Sequence, residues 1–248
     1  MIIVRYRESD KMMTKSVCIK NYKRDSMKNL MTVCALLLYS GTNFQAAESL
    51  HKACMQAVLK GDIDMIDQYI QEQEIDINIQ DELGLTAFMR AAAHGQLEAM
   101  QFLIKLGAHI NLQDHAGNTA ILHAVYKRQL QAVQFLIGEH ADLTLQNSFG
   151  STALMVAVEN NNQPIMSILA QEDSNVNAQD NCGFTALMVA ANLNLHEAVA
   201  LLLKHGADAL LQDNGGWTAF RLAQFQGNTE IAELLKEAQS KHWYNFFS

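Results

Sequence analysis

From Asp81 onward the same residue class returns every 33 positions, at Asp81, Asp114, Asn147, Asp180 and Asp213. A period this strict is the mark of a chain built from stacked copies of one small unit rather than around one irregular core. Glycine follows three places later (Gly84, Gly117, Gly150, Gly183, Gly216) and threonine two beyond that (Thr86, Thr119, Thr152, Thr185, Thr218). Alanine follows each threonine and returns four residues on, as in Ala186 and Ala190. A threonine before an alanine-rich run is a helix N-cap signal. The first helix of each unit is expected to end where a left-handed residue stands, at Gly61, Gly95, Asn161, Asn194 and Gly227. Arg128 occupies that place in one unit, and modest strain is expected there. A second helix follows with apolar residues at helical spacing, such as Met100, Leu103 and Ile104. The single proline, Pro164, falls in the first turn of one such helix, where a missing N–H costs little.

The segment Asp180-Asn181-Cys182-Gly183-Phe184-Thr185-Ala186-Leu187-Met188-Val189-Ala190 resembles the D-x-x-G-x-T-P-L-H-x-A signature of ankyrin repeats. The resemblance implies an all-α solenoid of helix-turn-helix units with β-hairpin loops. About six repeats are expected, near 47–80, 81–113, 114–146, 147–179, 180–212 and 213–240. The first is degenerate: Ala57 to Gly61 matches Ala91 to Gly95, 34 residues later, and the turn and Thr-Ala signals are missing, as suits a terminal unit. Alanine stands where the family has proline. Met89, Leu122, Met155, Met188 and Arg221 stand where it has histidine, which removes a Thr–His hydrogen bond but leaves threonine able to cap.

Charge divides the chain unevenly. Residues 1–46 hold eight basic and three acidic residues, a net +5, which leaves 10 basic against 23 acidic residues in the remainder. So acidic a body repels a phosphate backbone, and nucleic acid is excluded as a partner. Leu30 to Gly41 is free of charge, follows Lys28 and precedes polar residues and Ala46-Ala47. It is too short for a membrane span, which takes about 20 apolar residues, and reads as the core of a signal peptide cut near Ala46, with Met27 an alternative start. The plainer alternative is an apolar first helix of the fold. The expected localisation is periplasmic or secreted, or cytoplasmic if the segment is not processed. Cys18, Cys34, Cys54 and Cys182 have neither metal-ligand nor scaffold spacing.

Ankyrin arrays bind other proteins through hairpin tips and the exposed flank of the first helix, on the concave side, and no catalytic site belongs to the family. Carried over by register, the positions facing that side include Leu83, Leu85, His94, His115, Tyr126, Lys127, Phe149, Glu159, Phe184, Trp217 and Phe225. Their apolar and aromatic members form a candidate protein-binding strip. The competing reading is that fifth-place residues such as Phe184 and Trp217 only pack between hairpins. Surrounding carboxylates favour a basic partner. The recurring Gln80, Gln113, Gln146, Gln179 and Gln212 are read as a structural ladder, and Met89, Met155 and Met188 as core rather than a copper site. No metal, cofactor or catalytic constellation is expected from the nine histidines or from any Ser or Cys. The aromatic tail 241–248 is read as a cap on the last repeat, or as a docking peptide. The expectation is a non-enzymatic scaffold, monomeric when free. Its expected role is to neutralise a secreted toxic enzyme, since similar exported arrays include immunity partners of phospholipase effectors. The alternative is an accessory or chaperone protein of a periplasmic enzyme, for instance in oxidative-stress defence.

Overall fold

The computed structural model describes residues 2–8, 11–17, 56–58, 60–67, 76–172 and 175–246. The chain divides into two compact units, Met1–Ala53 and Cys54–Ser248. In the first, β1 (Ile2–Glu8) pairs antiparallel with β2 (Lys11–Val17), with Val4 opposite Lys15. The all-helical expectation did not include this ribbon, although Ile2, Ile3, Val4 and Tyr6 are residues that favour strands. The signal-like segment, Cys18, Cys34 and Cys54 lie outside the described residues.

The second unit is helical. Helical residues at 56–58 and 63–67 precede five helix pairs. These are α1 (Ala87–His94) with α2 (Leu97–Lys105), α3 (Ala120–Tyr126) with α4 (Leu130–Gly138), and α5 (Ala153–Glu159) with α6 (Gln163–Gln171). Then come α7 (Ala186–Asn192) with α8 (His196–Lys204), and α9 (Ala219–Gln226) with α10 (Thr229–Phe246). First helices pack on first helices along the stack, and second on second. The repeated alanines make this possible, since Ala91, Ala124, Ala157, Ala190 and Ala223 are all fully buried and let the helix backbones approach closely. No helix here buries its face alone, so the core is continuous through the stack.

Each helix start follows from its sequence. The hydroxyls of Thr86, Thr152, Thr185 and Thr218 accept the amide of the third helical residue. Thr119 is the exception: it is buried, and its hydroxyl has no partner. The methionines that replace histidine take over a polar task the sequence did not reveal. Met89 Sδ and Met155 Sδ each lie 3.5 Å from the backbone N–H of the capping threonine, and a thioether is a weak acceptor. Pro164 falls in the first turn of α6, as expected.

The ends of the first helices carry the expected left-handed residues, Arg128 (φ 57°) included. His140 is a second such case, at φ 59°, where the matching places after α2 and α8 hold Gly107 and Gly206. A side chain in that conformation costs about 1–2 kcal/mol, more than the extra freedom glycine loses on folding. His140→Gly is therefore expected to raise stability by about 1 kcal/mol, a gain of roughly 2–4 °C in melting temperature. Thermal unfolding followed by circular dichroism checks this, and an unchanged or lower midpoint would contradict it.

Candidate functional site

The hairpin tips are held rigid from within. Asp81 Oδ1 accepts the amides of Leu83 and Leu85, both at 2.9 Å. Asp114, Asn147, Asp180 and Asp213 each repeat this double acceptance in their own turn. One oxygen of every first-place side chain is thus committed to the fold. Tips are then tied to one another: the amides of His115, Ser148, Asn181 and Asn214 donate to the carbonyls of Leu83, Ala116, Phe149 and Cys182, at 2.9–3.0 Å. The glutamine ladder is present. Gln80, Gln113, Gln146 and Gln179 each donate from Nε2 to the carbonyl of the next glutamine, 33 residues on, at 2.8–2.9 Å.

On this frame the structure separates the candidate residues. Phe225, Phe149 and Leu83 leave 74%, 71% and 65% of their surface open, and Tyr126 leaves 41%. His94, His115, Lys127 and Glu159 are exposed as well. Leu85, Phe184 and Trp217 are half-buried and pack against the core, so the fifth place serves packing first. Trp217 also meets Phe225 edge-to-face with centroids 5.5 Å apart, and Arg221 lies over its indole ring. Leu193, which the strip did not include, is exposed too.

Three of the candidates converge. Tyr126, Phe149 and Glu159 line one open depression of about 410 Å³ together with Ser151, Asp180, Asn181 and Cys182. Tyr126 is held by Asn147, whose Nδ2 donates to its hydroxyl at 3.2 Å. Burial pushes the Tyr126 phenol up, and the nearby Glu159 adds to the effect. Burial also raises the Glu159 carboxyl, with the negative charge of Asp180 as a second cause. Leu83, Leu85, His94 and His115 do not line this depression.

Two of the other first-place carboxylates, Asp81 and Asp114, face a side-chain donor. Asp81 Oδ2 takes the Arg90 guanidinium at 2.5 Å. Burial alone would raise Asp81, but that contact and the amides of Leu85 and Leu83 outweigh it and hold the carboxyl below its usual range. Asp114 Oδ2 lies 2.9 Å from His123 Nε2. Burial lowers the His123 imidazole more than Asp114 raises it, so at neutral pH it donates as a neutral ring. Sequence reasoning missed Asp180 as a site residue. The residue nine places after Asp180 is Val189, and after Asp213 it is Leu222, where Asp81 has Arg90 and Asp114 has His123, so this column alone does not single Asp180 out.

A family model described as ankyrin repeats, in three copies, matches residues 26–114, 50–147, 96–180, 123–213 and 154–244. Among solved structures, the chain is similar to one from the complex of a predatory endopeptidase of Bdellovibrio bacteriovorus with an immunity protein. That match has 32% identity and a TM-score of 0.65, and covers 75% of this chain and 97% of the other. It is likewise similar to an ankyrin repeat domain from Acinetobacter baumannii, at 34% identity and a TM-score of 0.68, with the same coverage.

Proposed function

Because the chain belongs to the ankyrin-repeat family, whose arrays serve as protein-binding scaffolds, we propose that it is a non-enzymatic inhibitor of the immunity type. It binds a toxic hydrolase outside the cytoplasm through the concave face that carries the hairpin tips. One observation carries this reading: Tyr126 and Phe149 are held out to solvent over a depression that folding does not need filled. Large apolar groups exposed in this way are characteristic of protein interfaces. The solved complex with an immunity protein lends support, because this chain matches that neighbour over almost its whole length. Export through residues 28–46 is part of the proposal and agrees with an extracytoplasmic target.

The test is capture of the partner from the native cell, followed by assay of the partner's own activity. Stoichiometric addition of the protein is expected to abolish that activity. Binding should also shield Cys182, which is exposed at the depression, from alkylation by iodoacetamide as read by peptide mass mapping. A partner whose activity rises on binding would replace the inhibitor reading with an accessory one. Undiminished alkylation of Cys182 in the complex would move the interface elsewhere.

A further inference from the structure

We propose that the depression between repeats 147–179 and 180–212 receives an arginine side chain of the partner, its guanidinium held by the Glu159 and Asp180 carboxylates and its plane flanked by Tyr126 and Phe149. This rests on the concave-face interface proposed above and names the chemistry that the face selects.

The chain supplies its own precedent. In the repeats beginning at Asp81 and Asp114, the second carboxylate oxygen of the first-place residue takes an internal nitrogen donor, from Arg90 in one and His123 in the other. Asp180 spends Oδ1 on the amides of Cys182 and Phe184 in the same way. Nine residues on, however, stands Val189, which has no side-chain N–H to offer. Among the described residues, neither Asp180 Oδ2 nor Glu159 has a donor.

The second contribution comes from the preceding repeat. The thirteenth place of one unit faces the first place of the next, as the Tyr126 to Asn147 hydrogen bond shows. One register later that pairing sets Glu159 against Asp180, carboxylate against carboxylate, and Asp180 is one of the two causes that raise Glu159. Like charges in this position oppose folding, so the pair contributes nothing to stability that would explain it. An outside cation relieves the repulsion.

Arginine fits better than lysine. Its planar fork bonds two carboxylates at once, and its faces stack on aromatic rings, whereas an ammonium is a compact and strongly hydrated point charge. The exposed rings of Tyr126 and Phe149 beside the acid pair supply the stacking surface.

The experiment titrates the intact protein with N-acetyl-arginine amide and follows backbone amide shifts by NMR. Saturable shifts are expected at Phe149, Asn181 and Cys182. N-acetyl-citrulline amide, the neutral isostere, and N-acetyl-lysine amide should each bind at least about tenfold more weakly. Glu159→Gln and Asp180→Asn should each weaken arginine binding by about tenfold. Asp180→Asn keeps the turn, because Asn147 already forms the same two amide contacts in the preceding repeat. Glu159→Gln should not lower the melting temperature, since it removes a repelled charge. Equal binding of the citrulline or lysine probe, or unchanged binding by Glu159→Gln, overturns the proposal. Its failure is separable from that of the interface. A captured partner that tolerates Glu159→Gln but is lost on Tyr126→Ala with Phe149→Ala removes the arginine pocket and leaves the binding face standing.

Discussion

Gly150→Ala is expected to destabilise the array by about 3 kcal/mol, far more than the same change at Gly107. Gly150 sits at φ +81°, and a Cβ there would lie 2.5 Å from the backbone nitrogen of Asn181 and 2.7 Å from its Oδ1. Left-handed strain supplies about 1–2 kcal/mol. The remainder comes from displacing the next tip, which donates to Phe149 O at 3.0 Å and to Ser148 O at 2.8 Å, at about 1 kcal/mol per bond lost. Gly107 provides the control, for it has φ +91° but nothing within 4 Å of the added Cβ. Its alanine variant should show the strain alone. The clash also falls at a seam between repeats, and stacked arrays hold together through nearest-neighbour interfaces. Hydrogen exchange should therefore show residues beyond Asp180 opening at lower free energy in Gly150→Ala than in the parent. Equal losses at both glycines in chemical denaturation would show that tip-to-tip contact is not what confines Gly150.

What the sequence reveals here depends on direction. A column of identical residues, read down the repeats, marks a backbone need: the left-handed glycines, the Asp and Asn turn acceptors and the glutamine ladder all recur because each unit poses the same geometric problem. Arg128 was legible as an exception for that reason. His140 was not, because its own column varies, reading Gly107, His140, Asp173 and Gly206. Nor did the columns show that Met89 and Met155 act as acceptors, since methionine reads as core and both are indeed buried. The fifth place left two readings open, a binding strip or packing between hairpins, and Leu85, Phe184 and Trp217 are packed partly against the core. The acid pair was hidden because it runs across columns, from the thirteenth place of one unit to the first of the next. Neither Glu159 nor Asp180 departs from its surroundings until the two are seen to meet. Within 1–46, the β1–β2 ribbon lies ahead of Met27, the alternative start.

Replacing Tyr126 and Phe149 together by alanine is expected to weaken partner binding at least a hundredfold, about 3 kcal/mol, while leaving the fold intact. Burying an aromatic side chain is worth about 1.5–3 kcal/mol, and both rings have surface left to bury. The cost to the free protein should be small. Phe149 contributes only its backbone carbonyl to the tip ladder, which alanine retains. Loss of the Tyr126 ring leaves Asn147 Nδ2 its second contact, to Asn118 Oδ1 at 3.3 Å. Two companions separate contact from stability. Tyr126→Phe keeps the ring and should keep most of the affinity, whereas Leu85→Ala should lower the melting temperature without a comparable loss of binding, because Leu85 packs against the core. Calorimetric titration against the captured partner makes the comparison. If Leu85→Ala rather than the aromatic pair removes binding, the partner is reading the stiffness of the tips and not the side chains they display.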